Sequence, residues 1–398
     1  MAIKLGMVGA GGYAFELIKR IWLIPEKIEL VGVSSHPSRK SSGRAACIAK
    51  NVPVYDTPEE LLSNLQGIAD AIFVPTPINT HFAIAKKCID AGFHVFLEKP
   101  PLATVQELDA LNEYAIKNGK RIAVAFQFLY SDIVNETKRR IVAGEFGKVR
   151  QIRSIAGCPR FDSYYSRNCW AGKIKENGDW ILDGTLNNPL AHMLVNNLYF
   201  ASMHKGKLAQ PVSIEAELYH GHDIQSEDTS SVRIITSDAV EILFNASLCT
   251  CAEIDTETVV ECENARIRYV NFDKVKIQFK DGHEETTENK DDIRVCMLER
   301  LAHSLKSGEE FNATLNLCRP FTVCVNGAFD SCSQPKAVPA QYISRSEHSE
   351  SIKTVIEGID DILKCAHEGG KLISEMDVPW SCKGDLIDLN GYSHFPSR

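Results

Sequence analysis

Apolar positions in the first part of the chain fall into short unbroken runs. Ile3–Val8, Ile28–Val33, Ala71–Val74 and His94–Leu97 are bounded by Gly, Pro, Ser or charged residues, as strands buried on both faces are. Between them the spacing turns helical: Phe15–Trp22, a segment near Ser41–Ala49, one opened by Thr57-Pro58-Glu59-Glu60, Phe82–Ala91, and Thr104–Asn118 with Gly119 as its C-cap. A short strand around Val54 and a sixth over Arg121–Phe126 complete the series. Strands alternating with helices in this way predict a doubly wound parallel sheet over residues 1–126.

From Val212 the period changes to two. Val212–Leu218, Ser231–Thr236, Val240–Leu248, Thr258–Cys262, Arg266–Val270 and Val275–Phe279 alternate apolar with polar residues, and Asp281-Gly282 reads as a turn. The pattern predicts a large, mostly antiparallel open sheet with one wet face. Ile293–Lys306 and Leu317–Ser331 have helical spacing, as does Ile352–His367, which Gly369-Gly370 would cap. Leu372-Ile373 and Val378-Pro379-Trp380 then read as a packing anchor for the C-terminus. The expected fold class is α/β, with an α+β second domain over residues 127–398.

At 398 residues the chain is too long for one core, which agrees with two domains. A net charge of −8 without a basic run excludes a nucleic-acid binder. No apolar stretch approaches the roughly 20 residues that a membrane helix needs. A strand beginning at Ile3 leaves no room for a leader, so a cytoplasmic location is expected. The 13 cysteines, an odd number without CxxC spacing, fit reduced thiols there. Cys249 and Cys251 share a strand face and read as packing residues. His220-Gly221-His222-Asp223 could suggest a metal, but no third ligand stands in spacing, so it reads as a sheet-edge loop and no metal is expected.

The chemistry concentrates at strand ends. Gly9-Ala10-Gly11-Gly12-Tyr13-Ala14 is G-x-G-x-x-A between a strand and a helix. Its first glycine permits the turn, its second lets a pyrophosphate approach, and Ala14 lets helix and strand pack closely. The second strand ends in Ser34-Ser35-His36-Pro37-Ser38-Arg39-Lys40, with hydroxyls and cations but no acid. That suits a ribose 2′-phosphate better than a free hydroxyl, which favours NADP over NAD. The strand His94–Leu97 ends in Glu98-Lys99-Pro100-Pro101. A lysine at the carboxyl end of a buried strand is placed for proton transfer, and the prolines fix the chain's exit.

In order and spacing, Gly9–Ala14, Thr76-Pro77 with His81, and Ala91–Pro100 resemble the Gfo/Idh/MocA oxidoreductases, with a Rossmann domain first; Phe146–Arg150 is similar to the start of that family's second domain. The resemblance implies hydride transfer between a nicotinamide and an alcohol carbon of a sugar, polyol or sugar acid. It implies a catalytic Lys99 and cofactor contacts from Gly9, Gly11, Gly12, Tyr13, Ala14, Ser34, Ser35, Arg39, Thr76, Pro77, Asn79, His81, Glu98, Lys99, Pro100 and Gln127. The family's Asp-x-x-x-His is absent. Asn188-Pro189-Leu190-Ala191-His192 keeps the spacing with Asn for Asp, so Asn188 is expected as N-cap and His192 as the partner of Lys99. Asp183 starts the competing alignment, which has Asn187 where His is expected, and is kept as a substrate-side candidate. The donor-rich stretch Pro159–Trp170 nominates Arg160, Tyr165, Arg167 and Trp170 for substrate, and two arginines would suit a carboxylate. A homodimer or homotetramer through the second domain's sheet is also implied. The rival readings are a lyase or glycosidase that recycles a retained cofactor, and a non-catalytic dinucleotide sensor.

Overall fold

The computed structural model describes residues 1–38, 41–348 and 351–397. Two compact units are present: Met1–Leu102 with Glu107–Ser131 and Asp291–Cys318, and Ala103–Gln106 with Asp132–Lys290 and Arg319–Arg398.

The first unit is a Rossmann sheet. Its strands are β1 (Ile3–Val8), β2 (Ile28–Ser34), β3 (Val54–Tyr55), β4 (Ala71–Val74), β5 (His94–Leu97) and β6 (Ile122–Val124), linked by α1 (Tyr13–Ile21), α2 (Ser42–Ala49), α3 (Pro58–Leu65), α4 (Ile78–Asp90) and α5 (Val105–Lys117). All pairings are parallel, in the order β3-β2-β1-β4-β5-β6. The order reverses between β1 and β4, which opens a crevice outside their carboxyl ends. Ser41 and Thr57 cap α2 and α3 through their side-chain oxygens. Phe73, Val95, Phe96 and Leu97 are fully buried, as a strand covered on both faces requires.

The second unit begins with α6 (Asp132–Val142). Its ten-stranded sheet has a path β16-β15-β14-β13-β7-β12-β11-β10-β17, with a further strand on β10. The members are β7 (Val149–Gly157), β10 (Pro211–His220), β11 (Thr229–Thr236), β12 (Glu241–Ser247), β13 (Ile254–Cys262), β14 (Ala265–Val270), β15 (Lys274–Phe279), β16 (Glu284–Glu288), β17 (Lys336–Ala337) and β20 (Ile387–Asp388). Most pairs are antiparallel, but β7 runs parallel to β12 at the centre. Around the sheet lie α7 (Asp162–Ser166), the small pair β8 (Lys175–Glu176) and β9 (Asp179–Trp180), and α8 (Ala191–Ala201). The helix α9 (Ile293–Ser307) falls in the first unit; α10 (Leu315–Cys332) follows, then a hairpin of β18 (Ile343–His348) and β19 (Ser351–Ile356), and α11 (Ile359–Gly369).

Two expectations need correction. Residues 352–356 form a strand, not the start of a helix: Thr354 and Ile356 are buried with the half-buried Val355 between them, and β-branched residues suit this alternation. Gly358, in the left-handed region at φ 75°, separates strand from helix. The helix expected at Asn188 begins at Ala191. Turns come first, with Asn188 N–H donating to the Gly184 carbonyl (3.0 Å) and Leu190 N–H to Thr185 (3.0 Å). Asn188 turns its amide to Asp183 Oδ1 (2.7 Å) instead of capping.

The sheet's alternating residues serve two layers. Ser154 on β7 bonds Asn197 of α8 (2.9 Å). The opposite, polar face is covered by the chain's own C-terminal segment. Arg153 donates to the Glu368 carbonyl, Asn245 to Lys371, and Arg233 makes a fork to Glu375 (2.6 and 2.7 Å). An apolar patch among these contacts contains Ile155, Tyr219, Ile359, Leu363, Ile373 and Trp380. The tail segment 372–380 thus packs, as its apolar residues suggested.

Candidate functional site

In the first unit, the loop after β1 passes under a cleft of about 680 Å³ lined by Gly9, Ala10, Gly11, Ala14, Ser34, Ser35, Thr76 and Pro77 among others. Gly9 (φ 107°) and Gly12 (φ 54°) occupy conformations that favour glycine. A Cβ on Gly43 of α2 would lie 1.7 Å from the Ala10 carbonyl, so that glycine lets α2 close over the loop. Ser34 accepts the N–H of Gly9 on its carbonyl (2.9 Å), which ties the β2 end to the loop. Arg39 and Lys40 lie outside the described residues. The cation found at the β2 end is Arg44, which donates to the Ser35 carbonyl and to Asp56 Oδ1 (3.1 Å). Asp56 lines the same cleft. It follows β3, so no reading of the β2 end alone could have found it.

His81, fully buried, sits between the carbonyls of Thr76 (2.8 Å) and Pro101 (2.9 Å). Burial holds its pKa below the ordinary imidazole range. It therefore joins the turn after β4 to the turn after β5. Asn79, in the first turn of α4, is half-buried and does not line the cleft. Glu98 is buried, with Oε2 accepting the Lys99 N–H (2.7 Å) and Oε1 enclosed without a hydrogen-bond partner. Burial pushes its pKa up to about 7, against the opposing pull of Lys99 and Arg294. Lys99 is half-buried and Pro100 buried. Tyr13 donates its hydroxyl to Gln127 Oε1 (3.0 Å), and Arg294 Nε donates to the Tyr13 oxygen (3.3 Å). Arg294 and Asp292, whose carboxylate meets Arg20 (3.0 Å), stand at the start of α9. They were missed because an amphipathic helix this far along the chain carries no sign of returning to the first sheet. The glycine loop, the cleft and the orphaned Glu98 oxygen fit a dinucleotide.

In the second unit, Asp183 is nearly buried. It accepts the Gly172 N–H (2.7 Å) and the Asn188 amide, so it braces the turn before α8. His192 lies in the first turn of α8, half-buried, 6.4 Å from the Phe272 ring. Arg167 stacks on Tyr164 (3.5 Å) and lies 5.3 Å from Trp170, so these three form one exposed-to-half-buried group. Arg160 lies 5.2 Å from the Tyr164 ring; Tyr165 turns away, with its ring 4.7 Å from His222.

The fold brings to His222 two residues that sequence spacing did not reveal. Asp228 and Cys249 place ligand-type atoms within 4.8 Å of it and of one another, all buried. Hydrogen bonds tie the three together. Asp228 accepts from the Gly221 and His222 N–H groups, from His222 Nδ1 (2.9 Å) and from the Thr229 hydroxyl. Burial acts to raise the Asp228 pKa, but the His222 donors outweigh it and hold the carboxyl low. Burial and Asp228 push the Cys249 thiol well up. Beside it, buried Glu227 accepts the N–H groups of Thr185 (2.6 Å) and Leu186 (3.1 Å). It stands where a Gly184 Cβ would be, 1.6 Å away. Among the described residues no disulfide joins the cysteines, and no helix is long and apolar enough to cross a membrane.

A family model described as oxidoreductase family, NAD-binding Rossmann fold, matches residues 3–126. Inositol 2-dehydrogenase of Klebsiella pneumoniae is 24% identical over 273 residues, 64% of this chain and 80% of that one. A 1-carboxy-3-chloro-3,4-dihydroxycyclohexa-1,5-diene dehydrogenase of Comamonas testosteroni is 28% identical over 154 residues, 38% of either chain. The chain spans less than half the length of several curated relatives it matches. The solved WlbA dehydrogenase of Bordetella pertussis, in complex with NADH and UDP-GlcNAcA, superposes with a TM-score of 0.69 at 19% identity, covering 83% of this chain and 97% of that one. The fold is thus shared, and about a sixth of this chain lies beyond the match.

Proposed function

Because this chain belongs, through residues 3–126, to the Gfo/Idh/MocA family of oxidoreductases, we propose that it moves a hydride between a nicotinamide dinucleotide and an alcohol carbon of a sugar, polyol or sugar acid. One observation carries the reading: the glycine loop after β1 and Glu98-Lys99 after β5 end at the same edge of one parallel sheet, with only β4 between them. The inositol dehydrogenase relative, and the solved relative held with NADH and UDP-GlcNAcA, support the substrate class.

The dinucleotide, when bound, supplies the hydride chemistry. Lys99 holds and moves the proton of the reacting hydroxyl, and His192 shares that proton. Asn188, braced by Asp183, orients a hydroxyl but cannot act as a base. Arg160, Arg167 and Trp170 meet the substrate; Tyr165 supports them from behind through His222. Lys99→Met should lower turnover by about 10²–10⁴-fold while NADH affinity, read by fluorescence titration, stays within a few-fold. Turnover kept near the wild-type rate would sink the assignment of Lys99. Reduction seen only as cofactor retained through dialysis, with no net absorbance change, would point to the recycling lyase.

The same titration run with NADPH decides the cofactor. Ser34, Ser35 and the absence of an acid at the β2 end support NADP. Asp56 in the cleft is the observation that favours NAD, because a carboxylate there would accept from a free ribose hydroxyl and repel a phosphate. Cysteines outside any disulfide support a reducing, cytoplasmic location. The homo-oligomer is proposed through the strands β14 and β15, whose outward residues Arg266, Arg268 and Lys276 remain exposed.

A further inference from the structure

The segment 158–166 of the second unit is held from three sides. From the sheet, the Cys158 N–H donates to the Ser247 carbonyl (3.0 Å) and the Arg160 N–H to Leu248 (2.9 Å). From the turn at residues 220–222, His222 Nε2 lies 3.1 Å from the Arg160 carbonyl oxygen. From the β18–β19 hairpin, Phe161 pairs with Lys353 as an isolated antiparallel bridge. Ser163 N–H donates to Ser351 Oγ (2.9 Å), the Thr354 hydroxyl to Asp162 Oδ1 (3.4 Å), and the Phe161 and His348 rings lie 5.3 Å apart.

The first two anchors hold the start of the segment, up to Arg160. Among the described residues, the hydrogen bonds that reach residues 161–163 from outside the segment come from the hairpin, beside a longer approach of His222 Nε2 to Asp162 (3.9 Å). This matters because α7 cannot hold itself: it has five residues, no side-chain cap and no buried residue. Helices shorter than about 12–15 residues are marginal without outside support. The hairpin, by contrast, is firmly seated. Ile356 N–H donates to the Cys249 carbonyl (3.0 Å), Lys353 Nζ to Cys251, and the Asp360 carboxylate accepts the N–H groups of Cys251 and Ala252. Gly221 makes the seat possible, since a Cβ there would meet Ile356 at 3.1 Å and Ile343 at 3.2 Å.

We propose that the β18–β19 hairpin is a specificity-determining element, which fixes the course of residues 161–167 and so the reach of Arg167 and Trp170 toward a carbohydrate-type substrate. It is a positioning element and touches no reacting atom. The proposal rests on the assignment of this segment to the substrate made above, and it makes the C-terminal part of the chain a participant in selectivity. A carboxylate-bearing substrate would feel it most, because Arg167 is aimed by its stacking on Tyr164, the fourth residue of the segment the hairpin holds.

The test compares the full chain with Ser351→Ala/Thr354→Val, and with Arg345→Ala/Glu347→Ala on the exposed outer strand of the same hairpin. Amide exchange over residues 161–170 should quicken about tenfold in the first variant and match wild type in the second. NADH affinity should stay within about twofold in both. With whichever of myo-inositol, D-glucose and D-glucuronate is oxidised best, the first variant should raise KM about fivefold and leave kcat within about twofold. Unchanged exchange at 161–170 overturns the proposal, as does faster exchange with an unchanged KM. If wild type binds NADH but oxidises none of the three, the substrate class proposed above fails separately, and the exchange result alone decides whether the hairpin holds this segment.

Discussion

Glu227 shows how a single buried acid can hold a turn that lies 41 to 42 residues away in the chain. Its carboxyl group accepts two N–H groups of the turn leading to Asn188 and His192, and only a glycine at 184 leaves room for it. Burial pushes its pKa up to about 8 from an ordinary 4.5. The folded protein therefore keeps this proton up to about pH 8, whereas the unfolded chain releases it near 4.5. The sign follows: stability falls as pH rises through that window. Glu227→Gln should flatten the decline, by on the order of a few kcal/mol between the ends of the window. Denaturant melts across that range with equal slopes for both proteins would refute it. Glu227 had no signature in the sequence, since a Glu before a strand is ordinary. Gly9–Ala14 and Glu98-Lys99 were legible because backbone constraint and chemistry coincide there in a fixed order. Asp56 and Arg294 were not, because each reaches its place only through the winding of the sheet.

At the scale of elements, short buried strands in the first unit were legible to within a few residues, because an unbroken apolar run leaves the chain little choice. The C-terminal segment was harder. Ile352-Lys353-Thr354-Val355-Ile356 followed by Asp360–His367 can be read as one long helix if apolar spacing alone is used. The β-branched run and Gly358 decide otherwise. What α11 does could not be read at all: its apolar stripe covers a sheet face whose outward residues are mostly polar. The cover is held by a small apolar patch and a frame of charge-assisted bonds. Leu363, fully buried in that patch, should cost about 2–5 kcal/mol on replacement by Ala. Equilibrium denaturation would read this. A cost under about 0.5 kcal/mol would mean the tail rests on the sheet without contributing to its stability.

For the whole molecule, the composition named no partner. A self-association through β14 and β15 would set the exposed ion pairs Arg266–Glu261 and Arg268–Glu257 of one copy, with Lys276, against those of the other. Such an interface should loosen with salt, because exposed charges are screened beyond about 8 Å at physiological ionic strength. Sedimentation velocity at low and high salt should show a smaller species at high salt; an oligomer indifferent to salt would place the contact elsewhere. The makeup of the first unit has a different consequence. Its last piece, Asp291–Cys318, supplies the carbonyl of Ala313 to the Val124 N–H (2.8 Å) and the Asp292 carboxylate to Arg20. During synthesis, the nucleotide-binding unit must therefore wait until the ribosome has delivered a segment from more than 150 residues beyond Ser131. A nascent chain stalled before that point would expose α1 and β6 without the partner that closes them in the finished fold.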